Sequence, residues 1–333
     1  MGDVLRWTAE EARREAADPA WAEALLDASA LVVDLRDDDD VGVPPPLDRA
    51  PCPVIALMPS DTETTWPVDL TLADGSDETV AAVTTGAAAN PLAAATLTQV
   101  LRATESLGVL DALRVESLAY SMLLAGPEFR AWLEQHPTTQ RSVDDADVVQ
   151  TDRRGGVLYV ALNRPHVHNA FNTAMRDALV EAFTLARTDY SVGTVELSGN
   201  GPSFCSGGDL SEFGKTHDPV NAHLIRTARS VGVSMHELRD RLTVRVHGSC
   251  IGAGVELPAF ARRAVAAEGT TFRLPEVGMG LIPGAGGTVS LPRRIGRQRT
   301  LLLALSGRTL SAAEALDWGL VDAVVPGESD VSA

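Results

Sequence analysis

The 333-residue chain has few of the features that would place it in several common classes. Its three cysteines, Cys52, Cys205 and Cys250, form neither a disulfide framework nor a zinc pattern. A reducing, cytoplasmic setting is expected. No apolar run reaches the ~18 residues of a membrane span. The opening stretch "MGDVLRWTAEEARREAA" is charged and has no apolar h-region, so neither a signal peptide nor a membrane partner is expected. Basic charge is also scarce. Asp and Glu number 45 against 28 Lys and Arg, a net charge of −17. Most of this excess falls in residues 1–100, which carry −14. Such a surface excludes nucleic acid as a partner. The acidic run Asp37–Asp40 reads as a solvated loop.

Motifs for several chemistries are missing too. "SGNGPSFCSGGDLSEFG" (198–214) is glycine-rich but lacks the Gly-Lys-Ser/Thr of a phosphate-binding P-loop. No GxGxxG lies between the first strand and the first helix, and there is no GxSxG elbow. Cys205 has no base paired with it by spacing, and a lone cysteine is usually a small buried hydrophobe. His166 and His168 form an HxH pair without accompanying Cys or carboxylates, so no metal is expected.

Pattern divides the chain in two. Residues 8–28 read as a charged amphipathic helix. "ALVVDL" (30–35), "PVIALMP" (53–59) and "VDLTLA" (68–73) read as strands. Helices are expected from Pro91 to Gly108, over "LDALRVESLAYSMLLAG", and over "PEFRAWLEQH". Residues 137–156 are polar and aperiodic, as in a linker. Beyond them strands and helices alternate: a strand at 157–163, a helix capped by Asn172, a strand at "VGTVELSG", a helix at 219–241 and a strand at "LTVRVHG". This alternation argues for an α/β sheet covered by helices.

Two small-residue turns in the second half carry chemical promise. "SGGD" (206–209) turns into "LSEF", and "IGAG" (251–254) turns into "VELPAF". At such turns free N–H groups point outward, and small residues let the backbone approach a ligand. Converged on one oxygen, they make an oxyanion hole. Glu256 and Glu276 both lie in apolar stretches, where carboxylates are uncommon unless used. The alternative is that Glu256 favours its helix dipole and Glu276 caps a turn.

Four ordered motifs across 157–326 resemble the crotonase (enoyl-CoA hydratase/isomerase) superfamily: "LNRPHVHNAFN", "GNGPSFCSGGDLSEF", "VRVHGSCIGAGVELPAFARRAVAAEGTTFRLPEVGMGLIPGAGGT" and "LSAAEALDWGLVDAVVP". The resemblance implies an α/β crotonase-like (ClpP/crotonase) spiral of ββα units. It implies Glu256 and Glu276 as the catalytic pair, with Ser206 and Ala253 giving the oxyanion-hole amides. CoA contacts are implied at His166, Ser206, Gly207 and Gly208. His166 stands where the family often has Lys or Arg. The implied reaction is hydration of a 2-enoyl-CoA to a 3-hydroxyacyl-CoA. Enoyl-CoA isomerisation, another crotonase-type reaction, or a non-catalytic CoA-thioester-binding subunit remain open. An acyl-CoA substrate and a homo-oligomer, trimer or hexamer, are implied, with no cofactor beyond the coenzyme A of the substrate.

The resemblance also has a gap. The family continues for several helices after "GLVDAVVP", whereas residues 327–333 form only a tail. Residues 89–136 look like those helices, placed near the N-terminus. "LVVDL", "PCPVIAL" and "VDLTLA" echo three strands of the second half in the same order. Residues 1–136 are therefore expected to be a degenerate crotonase-like half whose helices replace the missing ones. An unrelated helical extension is the alternative.

Overall fold

A computed structural model describes residues 2–37, 43–60, 64–137, 147–215 and 218–327. Most of the acidic run, much of the expected linker and the tail beyond residue 327 lie outside the described residues.

The N-terminal region is built on a four-stranded parallel sheet in sequence order: β1 (Asp3–Thr8), β2 (Ala28–Asp34), β3 (Val54–Met58) and β4 (Leu70–Ala73). The expected helix over 8–28 shortens to α1 (Ala9–Glu15), and a strand precedes it. Thr8 and Glu11 form a capping box that starts α1. Pro19 has no N–H for a helical bond, which rules out one continuous helix to residue 28. The central strands are buried on both faces, and their side chains alternate between two cores. Leu31, Val33, Val54 and Ala56 face a small core with Trp21, Leu25 and Trp66. Ala30, Val32, Ile55 and Leu72 join the main core, which runs without a break into the C-terminal half.

Four helices follow: α2 (Asp77–Ala89), α3 (Pro91–Thr104), α4 (Val109–Leu124) and α5 (Pro127–Gln135). The last three match the sequence reading. Helix α2, over "DETVAAVTTGAAA", is an addition to that reading, and it buries Val80, Val83, Thr84 and Ala87 on one face. Glu128 of α5 accepts hydrogen bonds from the Leu92 and Ala93 amides at 2.8 and 2.9 Å, satisfying two free donors at the start of α3.

The C-terminal half has a six-stranded sheet, in spatial order β13-β10-β8-β7-β6-β5. Its members are β5 (Val149–Arg154), β6 (Val157–Leu162), β7 (Thr194–Gly199), β8 (Leu242–Val246), β10 (Arg263–Ala267) and β13 (Ala323–Val325). All pairs are parallel except β5 with β6. Thus the end of the expected linker is an edge strand. Its polar sequence fits its exposure. A second sheet orders β12 (Thr309–Ser311), β11 (Thr271–Arg273) and β9 (Ser249–Ile251). Between strands run α6 (Thr173–Thr188), α7 (Pro219–Ala228), α8 (Val231–Leu238), α9 (Ala253–Glu256), α10 (Gly287–Ile295), α11 (Arg297–Ser306) and α12 (Ala312–Asp317). The expected 219–241 helix is two, because Ser230 leaves helical geometry and caps α8 through the Val233 amide. Strand β8 feeds β9 before α9, and β10 feeds β11 before α10, so the chain passes from one sheet to the other in the ββα steps of the spiral.

Helices α2–α4 pack onto α10 and α11 of the same chain. A buried cluster joins the halves. Asp69, just before β4, accepts from the Val54 amide, from Arg102 of α3 and from Arg297 of α11. Gly86 of α2 lies so close to α11 that a Cβ there would sit 1.9 Å from the Leu305 carbonyl oxygen. No single helix among the described residues is long and apolar enough to cross a membrane.

Candidate active site

The two turns singled out in the sequence lie side by side. The Ile251 amide donates to the Cys205 carbonyl at 3.0 Å, and the Cys205 amide to the Ser249 carbonyl at 3.4 Å. Gly207 and Gly252 have φ of +92° and +51°, a region that side chains other than glycine rarely adopt. A Cβ on Gly252 would lie 2.4 Å from Glu276 Oε1 and 3.6 Å from the Gly207 Cα. The glycine therefore lets Glu276 and the two turns meet.

Hydrogen bonding corrects one expectation. The Ser206 N–H donates to the His168 carbonyl at 2.9 Å, and its hydroxyl to the Val167 carbonyl at 3.3 Å. Both donors tie the loop to the turn over Pro165–Val167, so the Ser206 amide is not open to an oxyanion. The Gly208 amide, expected only as a CoA contact, has no acceptor among the described residues. The Ala253 amide opens α9, where helical geometry leaves N–H groups free. Gly208 and Ala253 line one cavity of about 730 Å³, and Ser206 and Gly207 line it beside them.

Glu256 and Glu276 line the same cavity. Glu256 Oε2 accepts from the Ala285 and Gly287 amides at 2.7 and 2.8 Å. Gly287 permits this approach, since a Cβ there would meet the Glu256 Cγ at 2.6 Å. Burial pushes the Glu256 carboxyl up to about 7. Glu276 Oε2 is buried and has no hydrogen-bond partner among the described residues. Burial first, then the neighbouring Glu256, raise the Glu276 carboxyl well above its ordinary value.

A third carboxylate enters from α4. Glu116 is 2% exposed, yet it belongs to the N-terminal region. Its Oε1 accepts from the Gly286 amide at 2.8 Å. Its Oε2 accepts from the Thr288 amide and hydroxyl at 2.9 and 2.7 Å. Burial and then Glu256 push its carboxyl up to about 8. One turn on, the Tyr120 ring packs where a Cβ on Gly284 would stand. The sequence reading did not single out Glu116. The signal was present: it follows Ala112 and Leu113 at helical spacing on the buried face of α4.

Other expected residues fall elsewhere. His166 is exposed and does not line the cavity. Cys205 is buried, and burial pushes its thiol up to about 12, which leaves it protonated rather than nucleophilic. Asp209 is buried in an ion pair with Arg164 at 2.9 Å and accepts from the Ser211 amide.

The motif-bearing half has known relatives. Residues 152–332 match the model of the family described as "Enoyl-CoA hydratase/isomerase". This chain belongs to the enoyl-CoA hydratase/isomerase family. It is 35% identical over 176 residues to the 2,3-dehydroadipyl-CoA hydratase of Escherichia coli, covering 53% of this chain and 68% of the relative. It is 31% identical over 192 residues to a mevalonyl-coenzyme A hydratase of Aspergillus fumigatus, covering 58% and 69%. The crystal structure of an enoyl-CoA hydratase from Mycobacterium smegmatis superposes with a TM-score of 0.51 at 33% identity, covering 54% of this chain and 71% of that one.

Within this enoyl-CoA hydratase/isomerase fold, Gly208, Ala253, Glu256 and Glu276 all fall inside the family-matched span. Glu116 and Tyr120 fall outside it, in the N-terminal helices. The cavity is thus closed by a segment that the family match does not include.

Proposed function

We propose that the protein hydrates a 2-enoyl-CoA thioester to the 3-hydroxyacyl-CoA. The observation that carries this reading is that buried Glu256 and half-buried Glu276, whose Oε2 is buried, line one cavity with the free amides of Gly208 and Ala253. The thioester carbonyl accepts from the two amides, which stabilise the enolate charge that develops on its oxygen. Glu256, whose ionised form is favoured by two amide donors, takes a proton from water as the water oxygen bonds to the β carbon. The C=C electrons move to the α carbon, which takes its proton from Glu276. Glu276 suits the acid role because its buried Oε2 has no donor to stabilise a negative charge.

Residues Ser206 and Gly207 are proposed to line the CoA arm, and His166 to contact it from the exposed turn. No cofactor beyond the substrate's coenzyme A enters this reaction. Helices α3–α5 are proposed to close the acyl pocket, as remnants of a degenerate crotonase-like half. The matching order of the parallel strands β1–β4 supports that origin. A cytoplasmic location is proposed from the three free, buried cysteines. A homo-oligomer, trimer or hexamer, is supported by exposed Leu118, Met122, Val220 and Leu224 on the packed helices α4 and α7.

The test is loss of the 2-enoyl absorbance of crotonyl-CoA with formation of 3-hydroxybutyryl-CoA. Glu256→Gln and Glu276→Gln should each lower kcat by roughly 10²–10⁴-fold. Full activity in either variant rules out the two-carboxyl mechanism. Binding of CoA thioesters without turnover points instead to a non-catalytic subunit, and a shifted double bond without water uptake to an isomerase.

A further inference from the structure

Five arginines line the cavity: Arg114, Arg176, Arg226, Arg229 and Arg273. Three of them have carboxylate partners, Arg229 with Glu181 as well at 3.4 Å. Arg114 pairs with Asp111 at 2.7 Å, Arg176 with Asp177 at 2.8 Å, and Arg229 with Asp177 at 2.9 Å. Arg273 is exposed and donates to the Gly307 carbonyl at 3.1 Å. Arg226 is different. It is half-buried on α7 and has no carboxylate partner among the described residues.

Its contacts are all to neutral groups. Nε donates to the Ser117 hydroxyl at 3.2 Å, and Nη2 to the Ser117 carbonyl at 3.2 Å and to the Ser121 hydroxyl. The guanidinium lies over the Tyr120 ring, 4.9 Å from its centroid. Nη1 has no acceptor among the described residues. The charge of Glu116 reaches Arg226, but both Glu116 oxygens are held by Gly286 and Thr288. Burying a cation without a counter-charge is costly. A carboxylate is the group that guanidinium donors match best.

Position points the same way. Tyr120 bridges Arg226 to Gly284. The next residue, Ala285, donates its amide to Glu256. Arg226 therefore borders the cavity beside Tyr120 and the loop that holds Glu256, within reach of an acyl chain bound there. Leu113, Val233 and Leu257 line the same cavity and offer apolar walls for methylenes.

Resting on the hydratase reading above, we propose that the acyl chain of the substrate ends in a carboxylate, and that Arg226 reads it. The substrate class is then the mono-CoA thioesters of 2-unsaturated dicarboxylic acids. A neutral acyl end would leave the guanidinium without its counter-charge.

The test compares five- to eight-carbon 2-enedioyl-CoA thioesters with the matching 2-enoyl-CoA thioesters, in the full chain and in Arg226→Met and Arg226→Lys. Dissociation constants of the saturated dicarboxylic and monocarboxylic acyl-CoAs are measured alongside. The full chain should favour the carboxylate-ended member of at least one pair by tenfold or more, in kcat/KM and in binding. Arg226→Met should abolish that ratio, and Arg226→Lys should retain part of it. If nothing is hydrated but the Arg226-dependent binding preference persists, the hydratase reading falls and this assignment stands. Absence of preference in the full chain overturns it. So does a preference unchanged by either substitution. Equal weakening of both thioester classes also overturns it, and would make Arg226 a CoA-phosphate contact or a helix staple. Should Arg226→Met fail to fold, the full-chain ratio and Arg226→Lys decide.

Discussion

Glu116 and Glu256 take alternate amides of a single loop. Glu256 holds Ala285 and Gly287, and Glu116 holds Gly286 and Thr288. Two carboxyls from opposite halves of the chain thus fix four consecutive N–H groups. The loop can present two donors to Glu256 because Glu116 restrains the intervening amide from behind.

Glu116 is therefore expected to act as a positioning residue. Glu116→Gln replaces one acceptor oxygen with an amide NH2 that faces existing donors. The loop should shift, and kcat should fall by roughly 10- to 100-fold. KM should change less. Burial and the two amide donors set the Glu256 carboxyl, so the acid limb of the kcat/KM profile should stay near pH 7 while kcat falls. Steady-state kinetics from pH 5.5 to 9.5 check both, and an unchanged kcat rules out the positioning role.

The pH profile of the unmodified protein follows from the same geometry. With Glu256 raised to about 7 by burial, kcat/KM for crotonyl-CoA should rise through about pH 7 as the base ionises. It should fall at higher pH as Glu276 loses its proton. Glu256→Asp, which keeps a carboxyl, should alter the rising limb and leave the falling one in place.

Stability should depend on pH in the opposite sense to a paired surface carboxylate. The folded-state values of Glu116 and Glu256, about 8 and about 7, lie above the ordinary 4.5. The unfolded chain therefore binds fewer protons between these limits, and stability falls as pH rises. The contribution is full below about 4.5 and lost through pH 7 to 8. Melting temperatures of the unmodified protein minus those of Glu116→Gln, taken from pH 5 to 9, should decline across that window. A flat difference contradicts the assignment.

Gly252 and Gly287 should resist any side chain. A Cβ would lie 2.4 Å from Glu276 Oε1 in the first case and 2.6 Å from Glu256 Cγ in the second. Gly252 also has positive φ. Each alanine substitution should destabilise by about 1–3 kcal/mol and displace one carboxyl. Thermal denaturation and kcat are the measurements, and unchanged activity in both variants refutes the packing argument.

Asp69 should hold the two halves together. Asp69→Ala leaves Arg102 and Arg297 without their buried partner, at a cost of about 3–5 kcal/mol. Asp69→Asn should cost less, since it keeps an acceptor. Urea denaturation should show the loss as a lower midpoint in both variants.

Much of this was legible in the chain. Strands β2, β3 and β4 announce themselves as short apolar runs, and Asn172 marks a helix start that its side chain makes by accepting the Met175 amide. Glu256 and Glu276 stand out because an unpaired carboxylate is unexpected among apolar neighbours. Other features were not legible for physical reasons. Strand β5 is polar because it is an exposed edge, so it reads like a linker. Helix α2 buries Val80, Val83, Thr84 and Ala87 on one face, but the alanines on its other faces blur that stripe in the sequence.

What the sequence by itself determined is the set of turns, the two carboxyls and the family they belong to, because glycines at positive φ and charges in apolar surroundings are local signatures. Only the tertiary structure decided which amides remain free. Ser206 and Gly208 are two residues apart and look equivalent as donors. The His168 carbonyl takes the Ser206 N–H and leaves the Gly208 N–H open. Tertiary structure likewise brought Glu116 and Arg226 to the site from helices far apart in the chain. Hydrogen bonds and buried charges at that range depend on which groups folding brings within reach, and spacing along the chain does not encode that.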